Sequence, residues 1–299
     1  MLPHAEAGWS LSPRGRRAVQ VILTCAAVIG LAIGIAALIR HLASDPLADV
    51  HAYYDAGARL NANLPLYSQP AGTDDAAFYR YPPLLAILFR PLALLPFEAA
   101  AAIWMALLLA ATAATIYRLP GGRIRWLAAG MLAMPILWTL AVGQAQALVT
   151  LLLAIGSPLG VAMAGHLKLT PWLAGIYWLA RRDRGALLRL AGWTVLLTVV
   201  QLALAPQATL DYIGFPSLMQ VGAVINLSPY GISPVLWLVF VVGLAAFAWR
   251  LAPTRWGWAA AVALAVLASP RLLAYQLASL LAVFGGPRDA APGTKRGVG

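Results

Sequence analysis

Apolar positions along this chain come in long unbroken runs, not in the period-two alternation of a half-buried strand. The runs Ala18 to Ile39, Phe97 to Tyr117, Ala186 to Ala205 and Tyr230 to Trp249 each approach the roughly 20 apolar residues that a helix needs to cross a hydrocarbon layer. A transmembrane barrel would show alternating segments of about 10 residues. In lipid every backbone polar group must be satisfied internally, so helices are what remain. The pattern predicts an all-α, polytopic membrane bundle of eight to ten crossings.

Four stretches refine that picture. Trp126 to Val142 reads as one further crossing, ending at Gly143-Gln144-Ala145-Gln146. Trp256 to Phe284 is broken at Ser269-Pro270-Arg271 and reads as an outward and a return pass. From Ala147 to Ala180 the pattern is interrupted at Gly156-Ser157-Pro158 and at Lys168-Leu169-Thr170-Pro171, leaving open one crossing with a re-entrant pair or three short crossings. Pro82 to Leu95 is too brief to cross and is expected to lie at, or dip into, the outer interface.

Composition agrees: 62% of the 299 residues are hydrophobic and 10% charged, against about 25% charged in soluble domains. In a soluble chain the net charge of +11 would suggest nucleic acid. Here the arginines cluster between apolar runs, the signature of cytoplasmic loops, and no nucleic-acid partner is expected. Arg14, Arg16 and Arg17 place the start of the first run inside, and its length exceeds the 7–15 apolar residues of a signal-peptide core, so it is expected to be a retained span. The resulting plan has a cytoplasmic tail (1–17), a single membrane domain (18–284) and a polar cytoplasmic tail (285–299). Within the domain an outer loop (40–96) carries interfacial helices and a second outer loop spans 206–229. The expected location is the inner (plasma) membrane. The lone cysteine, Cys25, excludes a disulfide within the chain.

Candidate chemistry gathers in the outer loops. Asp45, Asp49, Asp55, Asp74, Asp75, Glu98 and Asp211 all fall in or beside them. In Asp49-Val50-His51-Ala52-Tyr53-Tyr54, Asp49 and Tyr53 are four apart and would share a helix face. Asp49 is either a general base facing a cavity or the N-cap of that helix. Arg80 and Arg90 lie on the acidic side, against the charge rule, and either bind an anion or snorkel. Gln144 and Gln146 could hydrogen-bond a polyhydroxylated substrate or bridge helices. Lys168 is a cation inside an apolar stretch, which favours a cavity, a partner or an anion, unless it marks a cytoplasmic end. Asp211-Tyr212, Phe215-Pro216 and Asn226-Leu227-Ser228 form a polar set of no specificity. No metal-ligand spacing, nucleophile elbow or phosphate loop is present.

Taken in order, Asp49-Val50-His51-Ala52-Tyr53-Tyr54, Leu64-Pro65-Leu66-Tyr67, Tyr81-Pro82-Pro83-Leu84-Leu85, Pro91 to Pro96, Gly143-Gln144, Lys168-Leu169-Thr170-Pro171, Asn226-Leu227-Ser228 and Ser269-Pro270 resemble glycosyltransferase family 87, of the GT-C superfamily. The resemblance implies transfer of a sugar, often mannose, from a polyprenyl-phosphate donor to a lipid or glycan acceptor on the non-cytoplasmic face, with inversion and with no nucleotide cofactor. It places Asp49 at the position of the base; Lys168 and Arg80 are candidates to meet the leaving phosphate, and the expected substrate-binding set is His51, Tyr53, Arg80, Tyr81, Gln144, Lys168 and Asn226. The chain departs from the family at Ile155 to Gly160, which is contracted, and at Arg271-Leu272-Leu273-Ala274, where polar residues are expected. Two rival readings stay open: a secondary transporter or flippase, and a truncated member that binds without turnover.

Overall fold

The structure is a computed structural model that describes residues 12–67, 78–119, 121–214 and 225–287. Asp74, Asp75, Phe215-Pro216, Arg288, Lys295 and Arg296 lie outside the described residues. The α-helices are α1 (Pro13–Ser44), α2 (Ala48–Asn61), α3 (Pro83–Phe89), α4 (Phe97–Arg118), α5 (Arg123–Met131), α6 (Ala133–Val142), α7 (Gln146–Ile155), α8 (Pro158–Leu167), α9 (Ile176–Ala180), α10 (Arg184–Leu204), α11 (Pro206–Gly214), α12 (Pro234–Leu251) and α13 (Gly257–Leu267). Four 3-10 stretches join them: Leu92–Leu94, Thr170–Gly175, Pro229–Gly231 and Ala274–Phe284. No strand occurs among the described residues, so the all-α expectation holds.

Local chemistry sets the boundaries. Ser157 and Asp183 cap α8 and α10 by accepting from the amides of Gly160 and Ala186, while Pro158 and Pro234 occupy first turns where a missing donor costs nothing. Gly143 and Gly156 close α6 and α7 in the left-handed conformation. The run Trp126 to Val142, expected to be one crossing, is instead two helices bent by 63° at Leu132. Pro135 accounts for the break, since it has no amide to give the carbonyl one turn earlier.

Four helices, α1 from Arg17, α4, α10 and α12, are long and apolar enough to cross a membrane, and the bent pair α5–α6 makes a fifth if counted as one span. The chain is a multi-pass membrane protein. Between these long elements run five shorter passes of 10 or 11 residues: α7, α8, Thr170 through α9, α13, and the 3-10 stretch Ala274–Phe284. An α-helix of this length reaches only about 15 Å, and the 3-10 stretch Ala274–Phe284 about 22 Å. Arg118, Arg181, Arg182, Arg184 and Arg189 stand where α4 and α9 end and α10 begins, while α8 packs against α3. The interrupted region from Ala147 to Ala180 takes the form of three short helical segments, α7, α8 and Thr170 through α9.

The long helices α10 and α12 expose apolar side chains such as Val195, Leu188, Val235 and Val239 outward, as lipid-facing surfaces do. The shorter elements bury theirs around Tyr53, Leu85, Phe89, Leu108 and Leu153. Helix α1 docks on α5–α6 through glycines. A Cβ on Gly30 would stand 2.5 Å from the Gly130 carbonyl oxygen, and one on Gly34 would stand 2.8 Å from the Ala133 carbonyl carbon. Without a hydrophobic force between helices in lipid, such close backbone approach is what holds them. Gly30→Leu is therefore expected to destabilise the bundle by about 1–3 kcal/mol, read as an earlier unfolding transition in detergent. An unchanged transition would show that this contact does not hold α1.

Candidate active site

The turn from α1 to α2 delivers Asp49. Leu47 adopts a left-handed backbone conformation (φ 56°) at the start of α2, and its amide donates to the Ala141 carbonyl at 3.1 Å. A non-glycine residue in that conformation costs on the order of 1–3 kcal/mol and persists only where its surroundings enforce it. The α2 cap is thus Leu47, and Asp49 is the second residue of the helix, in its first turn, with no capping bond. That answers the question left open by sequence: Asp49 is not an N-cap. Gly143 lets α2 come close, because a Cβ there would overlap Val50. The Gly143 carbonyl also accepts from Trp104 Nε1 at 2.8 Å.

Behind Asp49 runs a directed line of hydrogen bonds. The Ala145 amide donates to the Tyr53 hydroxyl (3.4 Å), which donates to Gln144 Oε1 (2.7 Å). Gln144 Nε2 donates to the Tyr81 hydroxyl (2.7 Å), and that hydroxyl donates to Asp49 Oδ1 (3.3 Å). Because Gln144 fills the acceptor site of Tyr81, the Tyr81 proton is committed to Asp49. Gln144 and Tyr53 are fully buried.

Asp49 and Tyr81 face a cavity of about 220 Å³ whose wall also carries Arg80, Lys168, Arg271 and Tyr275. Lys168 follows the last residue of α8. Its Nζ is buried without a hydrogen-bond partner among the described residues and lies 5.3 Å from the Tyr81 ring centre and 4.7 Å from that of Tyr275. Cation–π attraction from two rings holds the ammonium while leaving its three donors for something else.

Burial raises the Asp49 carboxyl to about 6, although the Lys168 charge and the Tyr81 hydrogen bond pull it down. Burial likewise lowers Lys168 to about 7, against the attraction of Asp49. Perturbed groups of opposite sign on one cavity wall are what a functional site looks like.

Sequence reasoning singled out eight residues, and their placement differs. Asp49, Arg80, Tyr81 and Lys168 line the cavity. Tyr53 and Gln144 stand behind the wall as supports for Tyr81. His51 stacks on Phe97 with ring centres 3.8 Å apart, away from the cavity. Asn226 ties the Ser269–Leu272 turn, donating to the Pro270 carbonyl (2.9 Å) and accepting from the Leu272 amide (2.9 Å). Arg90 neither snorkels nor faces the cavity: it donates to Asn61 Oδ1 and to the Leu204 carbonyl, clipping the outer loop to α10. Arg271 and Asp45, which sequence reasoning named without assigning to the site, are both on the wall. Arg271 had stood out only as a departure from a pattern, yet its charge acts on both Asp49 and Lys168. Asp45 accepts from His41 Nδ1 at 2.8 Å.

A sequence model described as glycosyltransferase family 87 matches residues 78–285. That stretch carries Arg80, Tyr81, Gln144, Lys168 and Arg271, whereas Asp49 lies ahead of it. A curated relative from Mycolicibacterium smegmatis, a polyprenol-phosphate-mannose-dependent alpha-(1-2)-phosphatidylinositol pentamannoside mannosyltransferase, is 32% identical over 154 residues. The match covers 45% of this chain and 38% of the relative. No solved structure matches.

Replacing Gln144 by leucine leaves two buried hydroxyls short of a partner, at a cost of about 1–3 kcal/mol per group. Thermal unfolding of Gln144→Leu should show that loss; a variant as stable as the parent would mean that the line of hydrogen bonds is not formed.

Proposed function

The chain belongs to glycosyltransferase family 87, and we propose that it moves a hexose, mannose, from a polyprenyl-phosphate donor to a hydroxyl of a lipid or glycan acceptor on the non-cytoplasmic face. The observation that carries this reading is the meeting of one buried carboxylate, Asp49, with the unpartnered ammonium of Lys168 on a single cavity wall. The mannose and the polyprenyl phosphate come from the name of the relative.

The chemistry follows from the charges. The ionised Asp49 carboxylate takes the acceptor hydroxyl proton as that oxygen attacks the anomeric carbon. The bond from that carbon to the phosphate oxygen breaks with its electron pair leaving on the phosphate. Inversion, which the family resemblance implies, requires the attacking oxygen and the departing phosphate to lie on opposite faces of the anomeric carbon. Lys168, Arg80 and Arg271 offer positive charge to the departing phosphate, and in a partly dry cavity such charge is worth far more than in water. A carboxyl held near 6 is close to the working pH, where a base is most effective. Tyr81 keeps the carboxylate oriented, and Gln144 keeps Tyr81 oriented.

Membranes containing the protein, given labelled polyprenyl-phosphate mannose, should produce a labelled lipid or glycan. Asp49→Asn should lower that transfer by about 10²–10⁴-fold at unchanged protein level; full activity would remove Asp49 from the reaction.

The pH dependence has a definite sign. Asp49 must be ionised, so the rate falls as pH drops through about 6. Lys168 must be charged, so it falls again as pH rises through about 7. The two groups titrate as a pair, and the profile is a narrow bell. Lys168→Arg, whose charge is permanent, should abolish the alkaline limb. A flat profile in the parent, or an alkaline limb kept in Lys168→Arg, would contradict the assignment.

A further inference from the structure

At the arginine-rich end, opposite the cavity that holds Asp49, lies a second cavity of about 300 Å³. Helix α8, 10 residues long, runs from Pro158 on the second cavity to Lys168 on the first. The turn between α7 and α8, on the wall of the second cavity, therefore sits about 15 Å away. Three guanidiniums converge there from separate elements: Arg118 ends α4, Arg181 follows α9, and Arg189 lies in the second turn of α10. Among the described residues no carboxylate comes within 4.0 Å of any of them. Asp183 is on the same wall, but its Oδ1 accepts the Ala186 amide at 2.9 Å and caps α10.

The cluster is also set in place. Arg181 donates to the Ala252 carbonyl at 3.0 Å and stacks on Tyr177, 5.1 Å from the ring centre. Tyr177 and Trp178 are buried and give the cavity an aromatic floor. The charge rule accounts for arginines at this end. It does not require three of them to border one cavity where, among the described residues, Asp183 is the one carboxylate on the wall, an excess of positive charge that like-charge repulsion disfavours until an anion enters.

We propose that this cavity binds the phosphate of an anionic lipid headgroup. Two features favour a lipid over a free phosphate. The cavity lies where the spans α4 and α10 end, at the depth of a headgroup layer. Beside two of its arginines stand Tyr117 and Leu188, 71% and 74% exposed, on the outward surface where acyl chains would lie. Basic pockets between helices on the cytoplasmic side, the side to which the charge rule assigns this end, suit such headgroups. The site is independent of the transfer reaction.

The test uses the purified full chain in a neutral detergent, with phosphatidylglycerol, phosphatidylcholine or inorganic phosphate added. Native mass spectrometry reads retained lipid and thermal unfolding reads stabilisation. The parent should retain phosphatidylglycerol over phosphatidylcholine. The triple variant Arg118→Gln, Arg181→Gln, Arg189→Gln should bind it at least about fivefold more weakly, the scale of one lost attraction to an anionic lipid. A matched control, Arg14→Gln, Arg250→Gln, Arg255→Gln, removes three charges that do not border the cavity and should bind as the parent does. Stabilisation by phosphatidylglycerol but not by inorganic phosphate assigns the site to lipid; equal stabilisation by inorganic phosphate, lost in the triple variant, overturns the lipid assignment in favour of free phosphate. Equal retention of both lipids by the parent, or an equal loss in the control, overturns the proposal. Retention by the parent decides the matter even if the triple variant does not fold.

Discussion

Removing a carboxylate and an ammonium from water on the wall of one cavity is costly unless each compensates the other, and the arrangement of this bundle follows from that constraint. Asp49 and Lys168 each have a pKa displaced toward neutrality by burial, and each is drawn back by the other's charge. Neither is saturated by protein hydrogen bonds: Asp49 accepts the Tyr81 hydroxyl and Lys168 rests on two rings. Buried charges left with unused bonding capacity are unfavourable for stability. They are useful where a substrate supplies the missing partners, and a sugar phosphate and a hydroxyl would supply both.

The fold supports that pair through backbone geometry more than through side-chain bulk. The left-handed Leu47, held to Ala141, turns the chain so that Asp49 points inward. Gly143 admits Val50, and so the whole of α2, close against the end of α6. The short passes matter in the same way. α7 and α8, with their 10 residues each, span about half of a 30 Å hydrocarbon layer. Lys168, just past the end of α8, thereby meets Asp49 of α2 on the wall of one cavity.

Much of this was legible in the sequence. The runs that became α1, α4, α10 and α12 declare themselves because about 20 apolar residues have few other uses. Asp49 stood out as a carboxylate just beyond the first span, and Lys168 as a cation within an apolar stretch. The region from Ala147 to Ala180 was ambiguous because helices of 10 residues carry too little periodicity to distinguish a crossing from a re-entrant turn. The role of Gln144 was hidden because its partners, Tyr53 and Tyr81, lie 91 and 63 residues away. Arg271 was obscured by its neighbours: beside a Ser-Pro break it looked like a departure, whereas Asn226, Ser269 and Gln276 pin that turn so that the arginine reaches the wall.

The electrostatic coupling of Asp49 to Lys168 is the claim on which the chemistry depends, and the protonation of the Asp49 carboxyl reports it directly. Difference infrared spectroscopy of the parent against Asp49→Asn, followed with pH, isolates that one group. A midpoint near 6 that moves higher in Lys168→Gln is the expected result. A midpoint at the ordinary carboxylate value of 3.8, unmoved by the loss of Lys168, would contradict it.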